Sequence, residues 1–334
     1  MDGSTNTTTV YIASVSRTAD QTMQSPGMAV MLFFSDVLAN YVWMVTAIFG
    51  IPGNILCLLI SLQKENRRFS TCIYMAGIAI VDTISLVIVV VSFMKMYWIK
   101  SATKEFHWQW VYYFGYSMSI LSGFFLAMMS IDRLIVVRVP LLAKQRCTTS
   151  NAWRAVAVST VAVMVINTHI FVAYKEFAGI LKVIIPGHPA LEILCNMYML
   201  VCGSLIPFLI IVLCNIWIII TLKIASEDRK KMGVASTLEK DTHHLTRMLI
   251  FICVAYVVTS LPHRLYEMVL AAPALEQLYD FSDDYWSLRY KVQYLTIVNL
   301  WYVNFSSTFY LYCVGGGKKY RADVKRLLFL CKGE

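Results

Sequence analysis

Apolar residues fall in seven runs along the chain, each closed by a charged or Gly/Pro-rich break. They lie at 34–63, 71–97, 108–136, 152–174, 194–224, 243–272 and 291–316. Each is long enough to cross a bilayer core of about 30 Å with some tilt. A buried helix of a water-soluble protein is shorter and keeps a polar stripe; these runs mostly have none. The pattern predicts an all-α membrane protein, a seven-transmembrane helix bundle spanning 34–316, preceded by a polar segment 1–33 and followed by a tail 317–334. Two boundaries stay open: whether the apolar run at 28–34 extends the first helix, and where the fifth and sixth runs end.

Composition agrees. Of 334 residues, 58% are apolar or aromatic and 15% charged, against about 45–50% and about 25% in soluble domains. The net charge of +9 suggests nucleic acid only until the charges are placed. One alternate set of loops (64–70, 133–154, 223–247 and the tail) holds 20 Lys and Arg against 7 Asp and Glu. The other holds 9 against 11. Lys and Arg are retained on the cytoplasmic side, so the N-terminus is expected outside and the C-terminus inside, as in a multi-pass plasma-membrane protein. Anionic lipid and an acidic cytoplasmic partner then account for the basic face, without nucleic acid. The first 27 residues are polar, rich in Ser and Thr, and show no apolar core of a signal peptide. Asn6-Thr7-Thr8 is a glycosylation acceptor in this outer segment. The same pattern at Asn304 lies inside a span and reads as chance.

An ionisable residue within the bilayer costs at least about 2.5–3.5 kcal/mol and marks function by default. Asp82 sits mid-span in the second run, with Asn54, Ser122, Asn304 and Thr308 at matching depth. A carboxylate among neutral oxygens suits Na⁺ or a proton; the alternative is a hydrogen-bonded knot that only joins helices. No other cofactor or metal is expected. Asp132-Arg133 ends the third run. The two charges either pair and release as a bistable element or merely reach the interface. Pro207 and Pro262 interrupt the fifth and sixth runs, as hinges or as static kinks.

Taken in order, these residues resemble the rhodopsin-like (class A) G-protein-coupled receptors over nearly the whole chain. Gly53-Asn54 matches the helix-one signature, Asp82 the helix-two aspartate, Asp132-Arg133-Leu134 the Asp-Arg-Tyr motif, and Pro207 and Pro262 the helix-five and helix-six prolines. Phe309-Tyr310-Leu311-Tyr312 stands where the family has Pro-x-x-Tyr, followed by a short amphipathic eighth helix, Lys318 to Leu330. Ser130 to Pro140 together with Cys147 resembles invertebrate peptide-type or chemosensory-type members. The resemblance implies a sodium pocket at Asp82, Ser122, Asn304 and Thr308. It also implies that Arg133 meets the C-terminal helix of a heterotrimeric G protein, beneath which Tyr312 swings inward. Asp132, Asn215 and Pro262 complete the implied switch.

Several family residues are replaced. Leu134 follows the arginine, Ser159 stands near the helix-four tryptophan, Ser260 replaces the helix-six tryptophan and Tyr256 the phenylalanine below it. Asn215 replaces the tyrosine that pairs with Tyr312, and Thr308-Phe309 replace Asn-Pro. These changes imply elevated basal activity or weak coupling. Trp108 stands where the family has a cysteine, so Cys195 lacks its usual disulfide partner. The nine cysteines then build no disulfide framework, and the outer loops are expected to be held by packing alone. Cys331, after the eighth helix, is either a palmitoylation site or a free thiol.

A ligand pocket is expected between the outer halves of the helices. Lys95, Tyr97, Tyr112, Tyr116, Ser119, His263, Arg264, Glu267, Tyr294 and Tyr302 are its candidate lining, although tyrosines there also serve as an interfacial belt. Arg264 either holds a ligand carboxylate or pairs with Glu267. Gly115 removes the counter-ion that amine receptors of the family carry, and Tyr302 removes the lysine on which opsins carry retinal. A peptide, or a small acidic or amphipathic molecule, remains as the extracellular ligand. A transporter or channel would show paired intramembrane charges, and an enzyme a clustered acid, base or metal set; neither pattern is present. A receptor-like scaffold with weak or constitutive signalling and, behind it, a polytopic transporter are the alternatives that stay open.

Overall fold

With apolar side chains at most positions, the backbone satisfies its hydrogen bonds within single helices. The computed structural model describes residues 26–94, 108–177, 180–183, 189–232, 238–270, 284–315 and 317–330. Their long helices are α1 (Pro26–Ser61), α2 (Ser70–Phe93), α3 (Trp108–Arg138), α4 (Thr149–Ile166), α5, α6 (Leu238–Leu270) and α7 (Asp284–Gly315). α5 comprises Pro189–Leu200, a π turn over Val201–Leu205, and Ile206–Met232. Five of them are apolar enough over a sufficient length to cross a membrane, and α6 has a shorter apolar stretch, Ile250–Tyr266. α2 packs on α1, α3 and α4, α3 also on α4 and α5, α6 on α5 and α7, and α7 on α1, which closes the ring.

Each of the seven expected runs is helical over most of its described residues, with shifted ends. α1 begins at Pro26, not at 34, because proline at the first helical position is pre-set to helical φ and the residues after it are apolar. Most of these, including Phe33 and Phe34, are exposed. The helix continues through Pro52; nearby, the Tyr310 hydroxyl of α7 donates to the Phe49 carbonyl at 3.0 Å, the kind of neighbouring contact that makes proline tolerable in a membrane helix. α5 starts at Pro189 rather than 194 and α7 at Asp284 rather than 291. At Pro207 the local irregularity is the preceding π turn, whose Gly203 carbonyl has no amide four residues on to receive.

Arg138 ends α3 because Val139 precedes Pro140, and a residue before proline is pushed out of the helical region. Pro140 opens a two-turn helix, Pro140–Arg146. Thr148 then caps α4 by accepting from the Asn151 amide at 3.3 Å. α8 (Gly317–Leu330) follows α7, with Tyr320 and Asp323 buried and Arg321, Lys325 and Arg326 exposed. Asn66, in the turn between α1 and α2, donates to Asp323 at 3.4 Å.

At the end of the bundle opposite α8, no disulfide ties the described helices together. All eight described cysteines, Cys195 among them, are free thiols. Hydrogen bonds join the helices there instead. Fully buried Asn167, just past α4, donates to Ser117 Oγ of α3 at 2.9 Å and accepts from the Tyr198 hydroxyl of α5 at 3.0 Å. Tyr113 of α3 donates to the Met164 carbonyl at 2.8 Å. An antiparallel ribbon, β1 (Tyr174–Phe177) with β2 (Ile180–Val183), lies in the stretch expected to be a plain loop. Asn167→Leu keeps the side-chain size but takes the partner from two hydroxyls, each worth about 1–3 kcal/mol when left unsatisfied in the interior. A clearly lowered thermal unfolding midpoint in detergent is expected; an unchanged midpoint would show that the brace carries no load.

Candidate functional site

Polar residues gather at three levels along α3, α6 and α7. At the level farthest from α8, Arg264 lies two residues past Pro262 and is 3% exposed. Its Nη2 donates to Ser119 Oγ at 3.1 Å. The guanidinium carbon lies 5.2 Å from the Tyr116 ring centroid and 5.4 Å from that of Trp301, within range of cation–π attraction. His263 stacks on the same Trp301, 4.3 Å between centroids and 8° between planes. Tyr112 stacks on Tyr116, Tyr266, Tyr290 and Tyr294 form a ring patch between α6 and α7, and Tyr302 meets Phe93 edge-on. A fixed cation among aromatic walls suits an anionic group carried on an apolar body.

One level down, Asp82 is fully buried. Ser122 donates to its Oδ1 at 2.7 Å and Thr308 to its Oδ2 at 3.2 Å. Asn304 stands one step away. Its side-chain oxygen accepts from Thr259 of α6 at 3.2 Å, and its carbonyl is 3.5 Å from Thr308 Oγ1. Asn54 donates to the Phe305 carbonyl at 2.8 Å, and its own Oδ1, like Ser260 Oγ, is buried with no partner among the described residues. The network joins α2, α3, α6 and α7 through one carboxylate and neutral oxygens, a donor set that fits a small hard cation or a proton. Beside it Tyr256 approaches α3 so closely that a methyl at Gly123 would lie 2.5 Å from the tyrosine oxygen; only glycine fits that crossing.

At the level nearest α8, Asp132 is buried, and its Oδ2 accepts from Ser70 at 2.8 Å and from Thr71 at 3.3 Å. Arg133 Nη2 also donates to Thr71, while its Nε has no partner among the described residues. Consecutive helix residues point about 100° apart, so the two charges meet through α2 rather than head-on. Cys147 donates to the Asp132 carbonyl at 3.6 Å; burial and the nearby carboxylate push its thiol up to about 12, which keeps it neutral. Asn215 of α5 donates to Cys253 of α6 at 3.0 Å. Tyr312 is fully buried, its hydroxyl unpartnered among the described residues.

Seven long helices with stacked polar levels agree with a family model described as 7 transmembrane receptor (rhodopsin family), which matches residues 53–308. The chain belongs to the rhodopsin family of seven-transmembrane receptors. It is a multi-pass membrane protein of a class of signalling receptors, generally without enzymatic activity. In this rhodopsin-family receptor the predicted residues Tyr116, Ser119, His263 and Arg264 converge directly or through Trp301, while Tyr112 and Tyr302 sit one ring away and Tyr294 belongs to the patch with Tyr266 and Tyr290. Lys95, Tyr97, Asn6 and Cys331 lie outside the described residues, as does the side chain of Glu267. Asn215 turns to Cys253, and no hydrogen bond links it to Tyr312.

Five participants escape the sequence reading. Trp301 is masked by the abundance of aromatics, although it falls one turn before Asn304 on α7. Thr259 precedes the replaced tryptophan position. Ser70 and Thr71 open α2 at the depth of Asp132, a signal available from the hydroxyl pair just after a basic loop. Asn167 is a buried amide at the end of an apolar run, and the rule that intramembrane polar groups carry a role points to it.

Proposed function

We propose that this G-protein-coupled receptor lies in the plasma membrane with its N-terminus outside, glycosylated at Asn6. It takes an extracellular peptide, or a small acidic or amphipathic ligand, at the Arg264 level and activates a heterotrimeric G protein at the α8 end, where palmitoylated Cys331 adds an anchor. The observation that carries the reading is Arg264, a buried guanidinium bound to α3 through Ser119 and enclosed by Tyr116 and Trp301. An acidic ligand group there re-weights contacts among α3, α6 and α7, and it shifts the receptor only by its differential affinity for two states. Lys95, Tyr97 and Glu267 are assigned to the rim of the same pocket. The chain itself performs no catalysis and binds no nucleic acid.

We assign the Asp82 level to Na⁺ or a proton, supported by the Ser122 and Thr308 hydroxyls and the adjacent Asn304. The carboxylate supplies the charge and the neutral oxygens the remaining ligands. Asp82→Asn is expected to abolish any dependence of ligand affinity on NaCl against choline chloride at equal ionic strength. Sodium sensitivity that survives the substitution would remove Asp82 from this role.

Nucleotide exchange in receptor-bearing membranes, with a panel of G proteins, tests the whole reading. Exchange is expected first without ligand and then, more strongly, with members of a peptide library. No exchange under any combination would favour a membrane scaffold instead, a reading supported by the missing link between Asn215 and Tyr312.

A further inference from the structure

The connection from α3 to α4 reads Lys144-Gln145-Arg146-Cys147-Thr148-Thr149. It sets cations three and five residues ahead of Thr149, a charge pattern of the kind by which a basophilic kinase selects its hydroxyl. Lys144 and Arg146 are exposed on the last turn of the helix Pro140–Arg146. Cys147 and Thr148 then leave helical geometry before α4 begins, so a kinase can take the stretch ahead of Thr149 as an open strand. The two threonines are not equivalent. Thr148 Oγ1 accepts from the Asn151 amide as the cap of α4, whereas Thr149 lines a cleft of about 660 Å³ between α4 and the α1–α2 turn.

The facing wall of that cleft is cationic. Lys64, Arg67 and Arg68 line it from the α1–α2 turn, and all three are exposed. No carboxylate is among the lining residues, although Glu65 lies exposed on the same turn. A phosphothreonine carries a charge of about −1.5 to −2, and arginine forks take phosphate oxygens bidentately. The first turn of α4 has no acidic residue, so the added charge meets no like charge there. We propose that Thr149 is a phosphorylation site whose phosphate docks on Lys64, Arg67 and Arg68 and staples the α1–α2 turn to α4. Thr149 Oγ1 attacks the γ-phosphorus of ATP held by the kinase, its proton passes to the kinase's catalytic carboxylate, and ADP leaves. The stapled turn also carries Asn66, which reaches Asp323 of α8, and it leads into Ser70 and Thr71, the donors to Asp132. The proposal rests on the topology of the reading above, which puts this cleft on the ATP-bearing side of the membrane. In detergent both faces are open to a kinase, so a failure there is separate from a failure of topology or signalling.

The detergent-purified full-length receptor is incubated with Mg²⁺-ATP and, separately, protein kinase B, protein kinase C and cyclic-AMP-dependent kinase, and phosphopeptide mass spectrometry reads the site. At least one of them is expected to place phosphate on Thr149. Thr149→Val should remove that signal and Thr149→Ser keep it. Thermal unfolding then reads the docking. Phosphorylation is expected to raise the midpoint by about 2–4 °C, a gain that shrinks at high salt. With Lys64→Gln, Arg67→Gln and Arg68→Gln together, phosphate still enters but the gain disappears. The equal-charge set Lys223→Gln, Lys325→Gln and Arg326→Gln, on exposed positions away from the cleft, keeps both. Phosphate on Thr148 or Ser150 alone, or on none of the three hydroxyls with any kinase, would overturn the site. No gain in the parent protein, or an equal gain in the two triple variants, would overturn the docking.

Discussion

Arg133→Ala is expected to reduce G-protein nucleotide exchange to the level of membranes lacking the receptor, while leaving its amount at the cell surface intact. The two halves of that result have separate causes. Asp132 already accepts from Ser70 and Thr71, so loss of the guanidinium does not strand a buried carboxylate, the change that would unfold the protein. Arg133 has donor capacity left over: one terminal nitrogen is engaged by Thr71, while Nε has no partner among the described residues. A forked donor held by a single hydroxyl is ready to move to a carbonyl or carboxylate of an arriving helix. Surface labelling against exchange, on the same membranes, checks the prediction. Undiminished exchange would take Arg133 out of the coupling role, and lost expression would make it structural.

Gly50→Ala is expected to be among the most damaging single changes in the bundle. A methyl there would lie 2.5 Å from Leu86 Cδ1, 2.7 Å from Ser306 Cβ and 2.9 Å from Ser306 Cα. Leu86 can change rotamer, but the α7 backbone cannot, so α1 and α7 must separate. Overpacking of this kind costs about 1–3 kcal/mol and occasionally more, and it outweighs the gain of about 1 kcal/mol that alanine brings to a helix interior. Gly27→Ala is the matched control, because nothing lies within 4 Å of a methyl at that position. Thermal unfolding in detergent should show a lowered midpoint for the first and an unchanged or raised one for the second. Equal midpoints would mean that the two helices yield at little cost.

What was legible in the sequence followed from the cost of polar groups in lipid. Asp82 and its partners Ser122 and Thr308 were found because a carboxylate in an apolar run demands donors, and Arg264 because a guanidinium does. Helix existence was legible for the same reason, while helix ends were not. Pro26 and Pro189 initiate α1 and α5 ahead of the expected starts, since first-turn proline reads equally as a breaker. The ring around Arg264 was only half legible: one aromatic among many carries no positional signal, and Trp301 was passed over. The hydroxyl pair Ser70-Thr71 after a basic loop was a readable signal, but that Thr71 takes both Asp132 and Arg133 depends on how α2 meets α3. Asn215 was legible as the replacement of the tyrosine that pairs with Tyr312, but its bond to Cys253 was not, because that depends on how α5 meets α6.

The clasp at Asn167 joins three helices with an amide and two hydroxyls rather than with sulfur. Its assembly consumes no oxidant and awaits no isomerase, and glutathione leaves it untouched. The described bundle can therefore close in a compartment of any redox poise, and the clasp can open and re-form as often as α3, α4 and α5 shift.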